Sequence, residues 1–145
     1  MSPSIHPTAI LETVLYAADL AASEAFYAQV LGLEVYSRVE GRQVFLRCGG
    51  QMLLIFNPDA TSKPPGAGAL VPVPPHGAHG PGHVCFAATA ADIEAWRRHL
   101  EAASVAIEAD FTWPNSVPEK RGRSIYFRDP AGNSVEFAEP RIWGL

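Results

Sequence analysis

The chain has 145 residues, 48% of them hydrophobic, with 15 acidic against 11 basic side chains and a formal net charge of −4. One compact domain of this size buries on the order of 70% of the surface of its unfolded chain, so it needs no disulfide staple, and an acidic balance argues against a nucleic-acid partner, which calls for a basic stripe. No apolar run reaches the roughly 18 residues of a membrane span. No cationic stretch precedes the segment from Ile10 to Ala22, and Cys48 and Cys85 lack metal-type spacing, which reads as two buried free thiols in the reducing cytoplasm.

In chain order, Ile10 to Ala17 is a β-rich run in which Glu12 shares a face with Ile10, Val14 and Tyr16. Asp19 offers an N-cap, Ala22, Phe26 and Val30 recur at helical spacing, and Gly32 stands where a glycine ends a helix. Three strands are expected next, at Leu33 to Val39, Gln43 to Cys48 and Gln51 to Phe56, the last two joined through Gly49-Gly50. From Asn57 to Gly82 the composition turns to Pro and Gly, which sustain neither a helix nor a central strand. A loop of this length is usually mobile or functional, often as a cover over a site.

Then the pattern restarts. His83 to Ala88 is a strand, Thr89 and Asp92 form a helix-start signal, and Ile93, Trp96, Leu100 and Ala103 give one helix face, with Glu94 and Arg98 spaced to pair on another. Three strands follow, at Val105 to Asp110, Ser124 to Arg128 and Asn133 to Ala138, the last two joined by the turn Asp-Pro-Ala-Gly-Asn. The chain reads as an α+β fold of two βαβββ modules, the first over about 8–58 and the second over about 82–140, joined by a linker over about 59–81.

Laying one module on the other matches Glu12 with His83 and Leu54 with Glu136, the second copy carrying eleven more residues between its matched positions, around Phe111 to Arg121. If the halves pack as pseudo-equivalents on a concave mixed sheet, these four positions face one another, and three can bind a divalent ion: Glu12, His83 and Glu136. One His and two carboxylates leave coordination positions open, which suits Mn, Fe, Ni or Zn chemistry on adjacent substrate oxygens. Taken singly, each has a structural reading: Glu136 on a water-facing edge strand, His83 as a satisfied core histidine. Lys120, Arg121 and Arg123 concentrate positive charge beside the last hairpin, where they could steer an anionic substrate or simply be solvated. Trp113 lies in the inserted loop, at the mouth of such a site.

Four stretches stand out together: Val14-Leu-Tyr-Ala-Ala-Asp-Leu20, Phe26-Tyr27 with Val30-Leu-Gly-Leu33, Pro81-Gly-His-Val84, and the run from Ser124 to Glu136. In these the sequence resembles the vicinal oxygen chelate superfamily, which includes glyoxalase I, bleomycin-resistance proteins, fosfomycin-resistance enzymes and extradiol dioxygenases. The resemblance implies that Glu12, His83 and Glu136 are metal ligands and that chains of this length pair as homodimers with sites between modules. Glyoxalase I resemblance would place a fourth ligand or base where this chain has Leu54. Gly122, Ser124 and Tyr126 match the anion-binding loop of the fosfomycin-resistance members, which implies substrate contact through Arg123 and Ser124. On this reading Glu12, Glu136 and Tyr126 are the catalytic groups and Arg123, Ser124, Trp113 and Lys120 bind a small-molecule substrate. The competing reading is a metal-free binding protein that sequesters a drug by stacking on Trp113 and Tyr16.

Overall fold

In the computed structural model, which describes residues 5–145, alternating residues build eight strands in two four-stranded sheets. In the first sheet, β1 (Glu12–Tyr16), β2 (Glu34–Val39), β3 (Gln43–Cys48) and β4 (Gln51–Phe56) lie in the order β1-β4-β3-β2. The second repeats this with β5 (His83–Ala87), β6 (Ala109–Thr112), β7 (Arg123–Arg128) and β8 (Ser134–Ala138), in the order β5-β8-β7-β6. In each sheet the first strand runs parallel to the last and the other pairs are antiparallel.

The registers confirm the repeat alignment. Val14 stands opposite Leu54 and Phe45 opposite Leu54, while Cys85 and Tyr126 stand opposite Glu136. Period two then assigns the faces. Leu53 and Ile55 enter the apolar core with Leu15, Val44 and Leu46, and Ile125, Phe127, Val135 and Phe137 are their counterparts. Leu54 is buried on the opposite, inner face.

Helices cover the core side. The first, α1 (Leu20–Ala25), is capped by the Asp19 carboxylate, which accepts from the Ala22 N–H. It widens into a π turn over Phe26–Val30, so the expected single α-helix ends early. The wider turn seats Phe26 and Tyr27 inward together, and Gly32, at φ 76°, ends it. A one-turn helix, α2 (Pro58–Thr61), opens the linker, contrary to the expectation of none: proline is acceptable at a first helical position, and Asn57 caps it. The long helix α3 (Ala90–Ala102) starts at Thr89, whose hydroxyl accepts from the Asp92 N–H. On it Glu94 pairs with Arg123 at 2.9 Å, whereas the expected partner was Arg98. Strand β6 begins later than expected, because its ladder partner β7 pairs only from Thr112 back to Ala109. Among the described residues no helix is long and apolar enough to cross a membrane.

A buried carboxylate is one tie between the modules, beside the shared apolar core and the 2.7 Å contact of His99 Nε2 with the Val30 carbonyl. Asp129, in the β7–β8 turn, accepts through Oδ1 from the Ala131 and Asn133 N–H groups, and through Oδ2 from Tyr27 Oη at 2.8 Å and Asn133 Nδ2 at 2.9 Å. Asn133 also donates to the Tyr16 carbonyl and accepts from the Gly82 N–H at 2.7 Å. Sequence reading saw only a turn here.

Candidate functional site

The inner face of the second sheet collects the polar chemistry. His83 and Glu136 project from adjacent parallel strands, with His83 Nε2 at 3.2 Å from Glu136 Oε2. The other ring nitrogen, Nδ1, lies 3.0 Å from the Ser134 carbonyl oxygen. A carbonyl can only accept, so Nδ1 carries the proton; Nε2 then either donates to Glu136 as part of an imidazolium or, in the neutral ring, offers its lone pair to a cation shared with the carboxylate. Two acceptors at that distance repel unless a cation or a second proton lies between them. Glu136 is 5% exposed, and its Oε1 is buried without a hydrogen-bond partner. An unpaired buried carboxylate oxygen costs several kcal/mol unless a cation meets it.

These residues fit a divalent metal. Donors about 2.1 Å from one ion and at right angles to each other sit about 3.0 Å apart, close to the spacing found. His83, half exposed, leaves the far side of such a site open. The pair is nevertheless half a site: among the described residues no group of three or more His, Cys, Asp or Glu side chains converges on one point. Glu12 is exposed at the start of β1, on the inner face of the other sheet.

Around the pair, Tyr126 stacks on His83 at 6.2 Å between ring centroids and on Phe111 at 5.8 Å. Burial, and then the neighbouring Glu136, push its hydroxyl up to about 12, so it stays a donor at neutral pH. Cys85 was expected to be buried but is exposed. The residue as a whole is open to solvent, but its thiol lies against the sheet beside Glu136, and this partial desolvation, followed by the charge of Glu136, raises it to about 12. Sequence reading passed over Cys85, although period two from His83 puts it on the same face.

The expected substrate contacts divide. Ser124 is buried and its Oγ accepts from Trp113 Nε1 at 2.9 Å, so these two hold the inserted loop to the sheet. Arg123 faces the helix side: its guanidinium bonds Asp110 through Nε and Nη2, both at 2.8 Å, and Glu94 through Nη1. Period two sends Arg123 to the face opposite Ser124 and Tyr126. Lys120 stands beside Gly144 near the C-terminus. Gly122 is explained by packing, since a Cβ there would meet Ile142 Cγ2 at 2.6 Å.

The first sheet's inner face is a trough of about 890 Å³ lined chiefly by apolar and aromatic side chains, among them Val14, Tyr16, Phe45, Leu54 and Phe56. Glu12 and Arg47 are its charged members, the Arg47 guanidinium lying 4.8 Å from the Tyr36 ring centroid.

Comparison with known proteins follows this geometry. The family model described as Glyoxalase/Bleomycin resistance protein/Dioxygenase superfamily matches residues 9–137. No curated protein matches the chain. Among solved structures, a lactoylglutathione lyase from Agrobacterium tumefaciens is 46% identical, with 96% of this chain and 98% of that one covered and a TM-score of 0.86. A glyoxalase/bleomycin resistance protein/dioxygenase from Nocardioides is 22% identical, with 94% and 86% covered and a TM-score of 0.66. An integron cassette protein from V. cholerae is 23% identical, with 94% and 98% covered and a TM-score of 0.68. At their identities the last two speak to the fold alone.

Proposed function

The chain belongs to the Glyoxalase/Bleomycin resistance protein/Dioxygenase superfamily, and from that premise we propose that it is a metal-dependent enzyme whose site is completed between two copies. In this reading His83 and Glu136 of one copy meet Glu12 of the other, and the assembled set holds a divalent ion such as Mn, Fe, Ni or Zn. The observation that carries it is the His83–Glu136 pair, with Nε2 at 3.2 Å from Oε2 and Oε1 left without a partner. A second copy is favoured by the exposure of Val14, Phe111 and Trp113 on the inner sides of the two sheets.

When bound, the ion supplies Lewis acidity to two adjacent substrate oxygens. The protein does the rest. Tyr126, held protonated, donates a hydrogen bond to a substrate oxygen, and a carboxylate of Glu12 or Glu136 takes the proton that leaves one carbon and returns it to the adjacent carbon, so that no net proton is gained or lost. Stacking on His83 and Phe111 fixes where the Tyr126 hydroxyl points. The likeness to a lactoylglutathione lyase supports a thiol adduct of a small ketoaldehyde as substrate, with isomerisation as the reaction. Leu54 supplies no fourth ligand, which leaves more of the ion open to substrate.

Metal analysis of purified dimers tests this. His83→Ala and Glu12→Ala should each lose nearly all bound divalent metal while remaining folded. Because each proposed site draws on both copies, co-refolding the two variants in equal amounts should return about a quarter of the wild-type metal, since half the dimers then carry one intact site of two. Metal retained in His83→Ala would overturn the site. No recovery on mixing would overturn its sharing, and wild-type protein that binds none would favour the metal-free sequestering reading.

A further inference from the structure

The Pro/Gly linker brings a side chain into the first module's trough. His76 packs edge-on against Phe56, with ring centroids 4.6 Å apart, and its Nδ1 lies 2.7 Å from Tyr16 Oη. Its backbone N–H donates to the Thr61 carbonyl at 3.0 Å. The following residue is pressed against α2, since a Cβ on Gly77 would meet the Pro58 carbonyl at 3.1 Å. These contacts fix one ring of a segment otherwise rich in Pro and Gly, and Val73, Pro74 and Pro75 wall the same trough.

Alternation places Glu12, Val14 and Tyr16 along one wall. With about 3.3 Å per residue, Tyr16 and Glu12 stand about 13 Å apart. Between the charged end at Glu12 and the polar end at Tyr16 and His76, the floor is Leu54, Phe45 and Phe56.

The hydrogen-bond arithmetic of the Tyr16–His76 pair holds for either tautomer. If the hydroxyl donates to Nδ1, His76 keeps an Nε2–H donor and Tyr16 keeps a lone pair. If Nδ1–H donates to Tyr16, the hydroxyl keeps its donor and Nε2 its lone pair. Either way the pair retains one unspent donor and one unspent acceptor at the end of an apolar channel. We propose that Tyr16 and His76 are specificity-determining residues that recognise a hydroxyl group at the far end of an elongated, mostly aromatic or aliphatic substrate, with the linker setting the length accepted. This rests on the proposed active site only for where the near end of the substrate is held.

The test uses ethylbenzene and 4-ethylphenol, which differ by one hydroxyl, titrated into full-length protein and followed by amide NMR shifts. The wild type should bind 4-ethylphenol about tenfold more tightly than ethylbenzene, with the Phe56 and His76 amides shifting most. Either ring alone still offers a donor and an acceptor, so His76→Phe, which keeps a ring against Phe56, and Tyr16→Phe should each reduce the preference in part, and the double variant should bring the two affinities together by weakening the phenol alone. His83→Ala should leave the preference at its wild-type value, so loss of the metal half and loss of the hydroxyl preference are read separately. Equal affinities in the wild type, a preference that survives undiminished in the double variant, or no binding of either probe would overturn the proposal.

Discussion

At the centre of the first sheet the inner face carries Val14, Phe45 and Leu54; at the matched positions the second carries Cys85, Tyr126 and Glu136. Strand order and the central register are the same, and so is the apolar centre of each outer face; a bulge between Val35 and Ser37 and the Arg123 ion pairs at the rim of the second sheet are the exceptions. Chemistry has therefore diverged only where side chains leave the core. The core sides of both modules are held by packing, which tolerates few polar atoms. The inner sides are free to specialise, one as a polar half-site and the other as an apolar trough. On the proposed function, neither face alone supplies what a reaction on adjacent oxygens needs.

The largest expected effect tests that division within three consecutive residues. Leu53→Glu and Ile55→Glu place a charge in the closed core and should each cost about 4 kcal/mol or more. Leu54→Glu places the same charge where the second module already carries Glu136, and should cost about 1–2 kcal/mol. Denaturant unfolding of the three variants measures this, and equal losses would erase the distinction between the faces.

The next concerns the contact that ties the modules. Asp129→Ala removes the acceptor for Tyr27, Asn133 and two backbone N–H groups and should cost about 3–5 kcal/mol. Tyr27→Phe removes one bond of that set and should cost about 1–2 kcal/mol. If Asp129→Ala were no worse than Tyr27→Phe in urea, the carboxylate would be a turn residue only.

The smallest effect separates Cys85 from its counterpart Val14. The unfolded chain releases a thiol proton near pH 8.5, whereas in the folded protein burial, and then Glu136, push Cys85 up to about 12. The folded pKa is the higher, so this contribution is fully present below about pH 8.5 and is lost as pH rises toward 12. Tyr126 adds to the same slope from about pH 10. In metal-free protein the urea midpoint should thus fall between pH 7 and pH 10, and Cys85→Val, which copies the first module, should fall less. Parallel pH curves for the two proteins would refute the upward shift of that thiol.

Much of this asymmetry is legible in the sequence. Period two in Glu12 to Tyr16 and in Ser134 to Ala138 assigns faces, and the matched spacing of the copies sets Leu54 against Glu136. The failures share one physical origin, which is that a pattern along the chain does not say what lies across from it. Arg123 belongs to a basic cluster in sequence but is drawn to Glu94 and Asp110 from other elements. His76 sits in a segment without periodicity, and only Phe56 and Tyr16 give it a place. The Asp129 turn reads as local chemistry, yet its second oxygen serves a residue 102 positions away.

That distant bond bears on how two such chains could exchange parts. Two modules of similar shape, joined by a long Pro/Gly connection, have the geometry in which one copy can lend a module to another, since the swapped and unswapped arrangements reuse the same contacts. Tyr27 and Asp129 belong to different modules, and the corresponding β3–β4 turn is Gly49-Gly50, which has no carboxylate to offer. The latch therefore exists in one direction only. A swapped dimer must rebuild it between chains, whereas the closed chain keeps it within one.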